Sequence, residues 1–490
     1  MTPTDFNVIL PTLLLASYAC LLLLADAFIP EDRKRWTAWL GMLGLVVGAI
    51  GHVSWRNDAA LTAFNGMLMA DGYALFLDFI FLGAGALTIL LAINYLPRTG
   101  LDRGEFYPLL LFTVAGMMLM GQASNLIVVF LALELLSIPL YILSGLARPK
   151  PASEESALKY FLLGAFASAF LVYGIALVYG ATGSTDLEAV VAAARPDNAR
   201  FTLLLLGVGL VLVGLGFKVA VVPFHMWTPD VYDGAPSVVT AFMSVGAKAG
   251  GFAALLRVFV TAFPALAEQW ALVAAVMAAL TMILGNFAAI AQSNIKRMLA
   301  YSSIAHAGYI LMGLVAAGSS RAALSDFAVG ASLFYLLAYA VTNLGTWAVV
   351  MAVERAESEG VPGNGLNLND YAGLSVRRPG LALAMAVFML SLTGVPLTVG
   401  FIGKFYVFRA ALDAGYLWLA LVGVLTSLVS AYYYLRIVIV MYVQAGTPVT
   451  ESRPALNLTV ALTAVATFIF GILPGPLMQA ATNAVAMLGR

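Results

Sequence analysis

Charge is what this sequence has least of. Lysine and arginine number 25 and aspartate and glutamate 25 in 490 residues, 10% in all, against roughly 25% in soluble domains. So few charges cannot cover a water-facing surface, and lipid must be the main solvent. The two signs cancel, so net charge gives no reason to expect a nucleic-acid partner. A single cysteine, Cys20, excludes a disulfide within the chain and any cluster of thiolate ligands. The three histidines are far apart, which argues against a metal site. No nucleotide-binding loop or flavin site is visible, so electron transfer is not this chain's work. The opening "MTPTDFN" has no positive charge ahead of its apolar run, unlike a cleaved signal peptide.

What is present is apolar length: 62% of residues are hydrophobic. A helix needs roughly 20 apolar residues to cross a bilayer. Fourteen stretches qualify: 6–28, 36–54, 72–95, 107–121, 124–146, 156–180, 200–222, 236–260, 269–291, 297–317, 327–353, 380–408, 415–442 and 455–486. The expected fold is an all-α polytopic membrane protein. Positive residues flank the spans unevenly. Arg33, Lys34, Arg35, Arg98, Arg103, Arg148, Lys150, Lys296, Arg297, Arg355, Arg377, Arg378 and Arg453 fall in odd-numbered loops. Arg56, Arg195, Arg200, Arg321, Arg409 and Arg490 fall in even loops or at the end. The excess predicts cytoplasmic odd loops and both termini on the outer side.

Lysine and arginine are placed differently within this pattern. The arginines lie in loops or near span ends. Lys159, Lys218, Lys248 and Lys404 lie inside apolar stretches or at their inner edge, and Glu134 and Asp78 sit within spans. A charge at the centre of a lone membrane helix costs about 2.5–3.5 kcal/mol even on the lenient insertion scale. Arginine cannot lose its proton there, whereas a desolvated lysine can. Interior lysines and peripheral arginines suit a proton pathway. The bland readings are a surface ion pair between Lys159 and Glu155, carboxylate clasps at Lys218 and Lys404, a structural role or a Pro139 break at Glu134, and structural pairing at Asp78.

Two spans are interrupted. In "GFKVAVVPFHMW" (216–227), Pro223 removes the amide that would bond the Val219 carbonyl. Freed backbone at membrane depth calls for protein or water, which predicts a hydrated cavity beside Lys218. "SLTGVPLTVGFIGKFYVF" (391–408) repeats the device with Pro396, Gly394, Gly400 and Gly403 ahead of Lys404. Spans 7 and 12 lie five apart, which suits paired five-helix repeats, although no letter-by-letter repeat is visible. His225 follows the first break. His306, mid-span with Ser302 and Ser303 a turn away, can pass a proton through either ring nitrogen or simply pack, and Tyr301 and Tyr309 can support water chains or pack.

"FKVAVVPFHMWTPDVYDGAP", "NIKRMLAYSSIAHAGY", "SLTGVPLTVGFIGKFYVF" and "SAYYYLRIVIVMY" together resemble the antiporter-like membrane subunits of respiratory complex I, the proton-translocating NADH:quinone oxidoreductase. The resemblance runs over nearly the whole chain. It implies fourteen helices, inverted repeats of five, and broken helices 7 and 12. The division it implies is 1–106 as three N-terminal helices, 107–260 and 261–443 as the two repeats, and 444–490 as a final helix. Of the three kinds in the family, subunit L carries a long lateral helix and subunit M a glutamate where Lys404 stands, so the chain most resembles the third kind.

Glu134 and Lys218 then resemble the family's coupled acid–base pair, Lys248 its central lysine, His306 its relay, Lys404 its terminal lysine, and Lys159 a lysine near the inner mouth. His225 joins them as the histidine after the break. The resemblance also implies a bacterial inner membrane, no cofactor in this chain, and NADH, FMN, iron–sulfur clusters and quinone in other subunits. The implied neighbours are subunits M, K and J, the lateral helix of L, and lipid. A cation/proton antiporter subunit of the sodium-exporting type and a non-conducting scaffold remain as alternatives.

Overall fold

The computed structural model describes residues 2–55, 60–195, 197, 199–355, 364–486 and 488. Arg56 and Arg490, counted above for orientation, lie outside the described residues, as does 356–363 of the long polar loop. In hydrocarbon every backbone group needs a partner inside the protein, and a helix supplies one locally.

The chain accordingly folds as α1 (Pro3–Asp26), α2 (Arg35–Gly51), α3 (Gly72–Arg98), α4 (Phe106–Gln122), α5 (Leu126–Ser144), α6 (Pro151–Thr182), α7 (Leu187–Ala193), α8 (Phe201–Val219), α9 (Trp227–Gly234) and α10 (Ser237–Phe242). A π-helical turn, Met243–Ala247, joins α10 to α11 (Lys248–Ala262). There follow α12 (Ala267–Ile290), α13 (Ile295–Ala317), α14 (Ala322–Val353), α15 (Leu374–Arg377), α16 (Pro379–Thr393), α17 (Val399–Asp413), α18 (Leu417–Val443), α19 (Pro454–Ile472) and α20 (Gly475–Val485). A small antiparallel hairpin, β1 (Leu61–Ala63) with β2 (Leu68–Ala70), pairs Leu61 with Ala70.

Among the described residues, 12 helices are long and apolar enough to cross a membrane unaided. The expected count of fourteen is therefore not reached by length alone. Stretch 107–121 is the shorter helix α4, and stretch 380–408 is divided between α16 and α17. Burial grades the helices from fully enclosed to mostly outward-facing. The α10–α11 span is wholly enclosed by other helices, α13 is 94% enclosed and α14 89%, whereas α1, α6 and α19 are only about one-third enclosed. The enclosed trio forms the middle of the molecule, and a ring of helices with apolar outer faces surrounds it.

Both interruptions are present and share one geometry. At the end of α8, Ala220 takes a left-handed conformation (φ 60°), its amide bonding Phe217 O and the next amide, on Val221, reaching back to Gly216 O. At the end of α16, Gly394 (φ 93°) bonds Ser391 O, and Val395 N reaches Leu390 O. This is the Schellman pattern, which stops a helix by turning its last amides inward. Helix α8 therefore ends four residues before Pro223, at the left-handed Ala220. Side chains of neighbouring elements meet several backbone groups at the two breaks. Trp227 Nε1 donates to Phe217 O at 3.1 Å, Val222 N to Thr281 Oγ1 at 2.9 Å, and Gly400 N to Ser391 Oγ at 3.1 Å. Pro223, Met226, Pro396 and Leu397 face outward at the two breaks.

One arginine departs from the peripheral pattern. Arg257 on α11 is buried and forks onto Asp71, the N-cap of α3, with contacts of 2.9 and 2.8 Å, and it covers the Tyr73 ring at 4.7 Å. This bidentate pair locks the enclosed core to the N-terminal helices.

Two outcomes follow. Replacing Ala220 by glycine removes the left-handed penalty and should stabilise by about 1 kcal/mol, whereas Gly394→Ala should destabilise by a similar amount, read as opposite shifts in thermal unfolding of the purified assembly. Arg257→Ala strands a buried carboxylate and should cost about 3–5 kcal/mol; the double substitution Arg257→Leu with Asp71→Asn should recover most of it in the same measurement.

Candidate functional site

The three interior lysines reach buried positions on three different helices: Lys218 on α8, Lys248 at the start of α11, and Lys404 on α17. Each meets the same two kinds of partner. Lys218 Nζ donates to Ser137 Oγ at 2.7 Å and Tyr160 OH at 3.1 Å, and lies 5.4 Å from the centroid of the Tyr160 ring. Lys248 Nζ donates to Ser303 Oγ at 2.5 Å and to the Ser303 carbonyl, with the Tyr339 ring 5.8 Å away. Lys404 Nζ donates to Ser427 Oγ at 2.8 Å and lies 4.8 Å from the Tyr309 ring centroid. A serine hydroxyl and a tyrosine ring thus attend every one. Cation–π attraction and neutral oxygens replace hydration.

The carboxylate clasps weighed from the sequence are not what holds these lysines. Among the described residues, the ion pairs lie elsewhere, among them Lys34–Asp26, Arg257–Asp71, and the Lys159 and Arg297 group. Lys404 instead sits on the open end of α16, where Leu392 O and Thr393 O each accept from Nζ at 2.8 Å. The last carbonyls of a helix lack partners and carry its negative pole. The second break therefore creates the seat for Lys404. The first break has no equivalent, because Lys218 belongs to the helix that ends there.

His306 on α13 lies between Lys248 and Lys404 in a chain of hydroxyls. Its Nδ1 meets Tyr335 OH at 2.9 Å and its Nε2 meets Tyr434 OH at 3.1 Å. Tyr434 OH is also 2.5 Å from Ser302 Oγ, next in sequence to the Ser303 that holds Lys248. On the other side, the Tyr309 ring packs edge-on against His306 at 5.7 Å and underlies Lys404. The structure so brings Lys248, His306 and Lys404 into one polar strip through the enclosed core. Lys218 touches this strip by packing only: a Cβ placed on Gly251, three residues along from Lys248, would stand 3.1 Å from Lys218 Cγ.

The remaining expected residues fall elsewhere. Glu134 makes no ion pair with Lys218. It accepts from Ser168 Oγ at 2.5 Å, half-buried, in an open cleft of about 540 Å³ between α5 and α6. Ser137, one turn along α5, accepts from Lys218 and donates to Leu133 O. Helix α5 runs unbroken through Pro139. Lys159 is at the rim, paired with Glu155 and with Asp230 at 2.6 Å each, which realises the surface pairing weighed from sequence. His225 is half-buried beside the first break, and among the described residues its Nδ1 meets no hydrogen-bond partner. Asp78 pairs structurally, with His52 Nε2 at 2.8 Å.

Sequence reasoning missed Tyr160, Tyr335, Tyr339 and Tyr434 and the serines Ser137 and Ser427. The visible signal was the pair Tyr335 and Tyr339 on one face of α14, four residues apart. It also missed the π-turn just ahead of Lys248, a feature enriched at functional sites.

Comparison with known proteins fits this geometry. Residues 123–430 match the family described as NADH:quinone oxidoreductase/Mrp antiporter, transmembrane. The chain is 47% identical over 494 residues to NADH-quinone oxidoreductase subunit N of Chloroflexus aggregans, covering 99% of this chain and 98% of that one. A chain of respiratory complex I from Thermus thermophilus superposes with a TM-score of 0.80 at 35% identity, covering 96% of this chain and 99% of its own length. A chain of the Mrp complex from Dietzia shares the fold, with a TM-score of 0.82 at 22% identity and coverage of 100% and 98%. With its enclosed lysine-bearing core and its two broken helices, the chain belongs to the antiporter-like transmembrane subunits of NADH:quinone oxidoreductase and Mrp antiporters, and within them to the subunit N group.

Proposed function

We propose that this chain relays protons across the membrane as the subunit N component of proton-pumping NADH:quinone oxidoreductase. The observation that carries the reading is the shared setting of Lys218, Lys248 and Lys404, each held by neutral hydroxyls, carbonyls and a tyrosine ring. An ammonium clasped by a carboxylate is stabilised in its charged form. One surrounded by neutral groups in a low-dielectric core sits where charged and neutral forms approach each other in energy. That is what repeated loading and release require. A scaffold reading needs clasped lysines, and the clasps in this chain lie at other residues.

The route follows the polar strip. A proton taken up from the cytoplasmic side reaches Lys218 and passes to Lys248 over bridging water. The Ser303–Ser302–Tyr434 hydroxyls hand it to His306 Nε2. An imidazole bonded at both nitrogens accepts at one and releases at the other, here towards Tyr335 and on to Lys404. From the α16 carbonyls Lys404 releases it outward. Glu134 acts on Lys218 through space, as a nearby negative charge without a hydrogen bond, so its removal should weaken the coupling rather than abolish it. Lys159 and its carboxylates mark the uptake surface, with His225 beside the break.

The two interrupted helices supply equivalent points in two five-helix units, 107–260 and 261–443, with 1–106 and 444–490 outside them. Redox chemistry, with its NADH, FMN, iron–sulfur clusters and quinone, belongs to other subunits. Subunits M, K and J and the lateral helix of L are the neighbours, and both termini face outward from the bacterial inner membrane.

Three outcomes test the relay in reconstituted vesicles of the assembled complex. Lys218→Ala should lower the proton-to-electron ratio while quinone reductase activity persists, and an unchanged ratio would count against the route. Lys404→Arg keeps the charge but forbids deprotonation, so release should fail; full pumping in that variant would sink the mechanism. Tyr434→Phe removes one hydroxyl bridge with little change in shape. It should slow pumping by roughly 100-fold, the low end of what a lost proton-transfer partner costs, with assembly intact on native gels.

A further inference from the structure

A groove at the periphery lies outside the polar strip and plays no part in the relay. It runs between α16 and α19 and encloses about 730 Å³. Its walls are aliphatic and aromatic, from Leu381 and Val387 on one side to Val460 and Phe468 on the other. At one end stand Arg377, Arg378 and Asn457, the polar side chains of the lining. On α19 the groove extends from Asn457 to Phe468, roughly 16 Å at 1.5 Å per residue. One leaflet of a bilayer's hydrocarbon is about 15 Å deep.

The charged end is biased towards an anion. Among the described residues, neither arginine holds a carboxylate; Arg377 makes only a 3.4 Å contact with Pro448 O. The nearby Arg453 pairs with Glu451 at 3.8 Å. Helices α16 and α19 both begin at this end, and neither has a side-chain cap, so their positive poles reinforce the arginines. Two cations without counter-charge, at the membrane-surface end of an apolar trough one leaflet deep, have the charge and shape of a single ligand class.

We propose that this groove is a binding site for an anionic phospholipid, with its phosphate between Arg377 and Arg378 and one acyl chain along the trough towards Phe468. The site stands apart from the proton route, so it holds or fails independently of the proposed function. A zwitterionic lipid fits the trough but gains less at its mouth, since each basic residue near the surface favours an anionic headgroup about fivefold.

The test uses the intact complex in mixed micelles, with phosphatidylglycerol bearing a photoreactive acyl chain as probe and phosphatidylcholine of the same kind as control. Crosslinks are mapped by peptide mass spectrometry. Phosphatidylglycerol should label the 457–468 segment, and R377Q/R378Q should weaken that labelling roughly 30-fold, leaving the phosphatidylcholine signal unchanged. A461F, at an exposed position lining the groove, should reduce labelling by both lipids with the arginines in place, and it serves if the double variant fails to assemble. Inorganic phosphate should not compete. Equal labelling by the two lipids in the wild type, labelling untouched by either variant, competition by phosphate alone, or a neighbouring polypeptide seated in the groove would each overturn the assignment.

Discussion

An ammonium group away from water must find oxygen or π-electron density within reach of its short fork of donors, and this need organises the middle of the molecule. Lys218, Lys248 and Lys404 meet it with serine hydroxyls, tyrosine rings and backbone carbonyls contributed by helices far away in sequence. Placing those donors and acceptors together requires that α11, α13 and α14 be sheathed on all sides. The outer helices supply the sheath. A carboxylate beside each amine would have been the simpler electrostatic solution, and the chain uses that solution freely where stability alone is at stake, as with Arg257 and Asp71.

The helix interruptions serve this constraint rather than decorate it. The end of α16 exposes two carbonyls that a continuous helix would have consumed, and Lys404, one turn into the following helix, takes them both. At the other break the same capping geometry recurs, yet the freed groups go to Trp227 and Thr281. The two breaks are alike in backbone and different in use. The second break anchors a lysine, and the first turns the chain beneath one.

Much of this was legible from residue order. Uniform apolar runs gave the helices, because lipid leaves the backbone no other choice. Proline and glycine marked the breaks to within a few residues, though the left-handed Ala220 could not be foreseen, alanine being unusual there. The lysines stood out because few other charges lie in those runs. Their partners did not stand out. Ser137 lies 81 residues from Lys218, and Ser303 lies 55 from Lys248; hydroxyls are common in membrane helices, and only packing shows which of them face inward. For the same reason residue order could not show that Glu134, expected as the acid coupled to Lys218, accepts its hydrogen bond from Ser168 at the outer cleft. Enclosure was legible only in part: the enclosed α14 is less apolar than the outer α6, but so, to the same degree, is the outer α18.

The π-helical turn Met243–Ala247 has a consequence for heredity as much as for shape. It holds one residue more than an α-turn would, so everything after it is rotated by about 100° relative to an uninterrupted helix. Lys248 is the first residue past it. Losing a single codon anywhere in that turn would leave the lysine in the protein and swing it off Ser303, so the length of a five-residue segment is as much under constraint as the identity of the amine it aims.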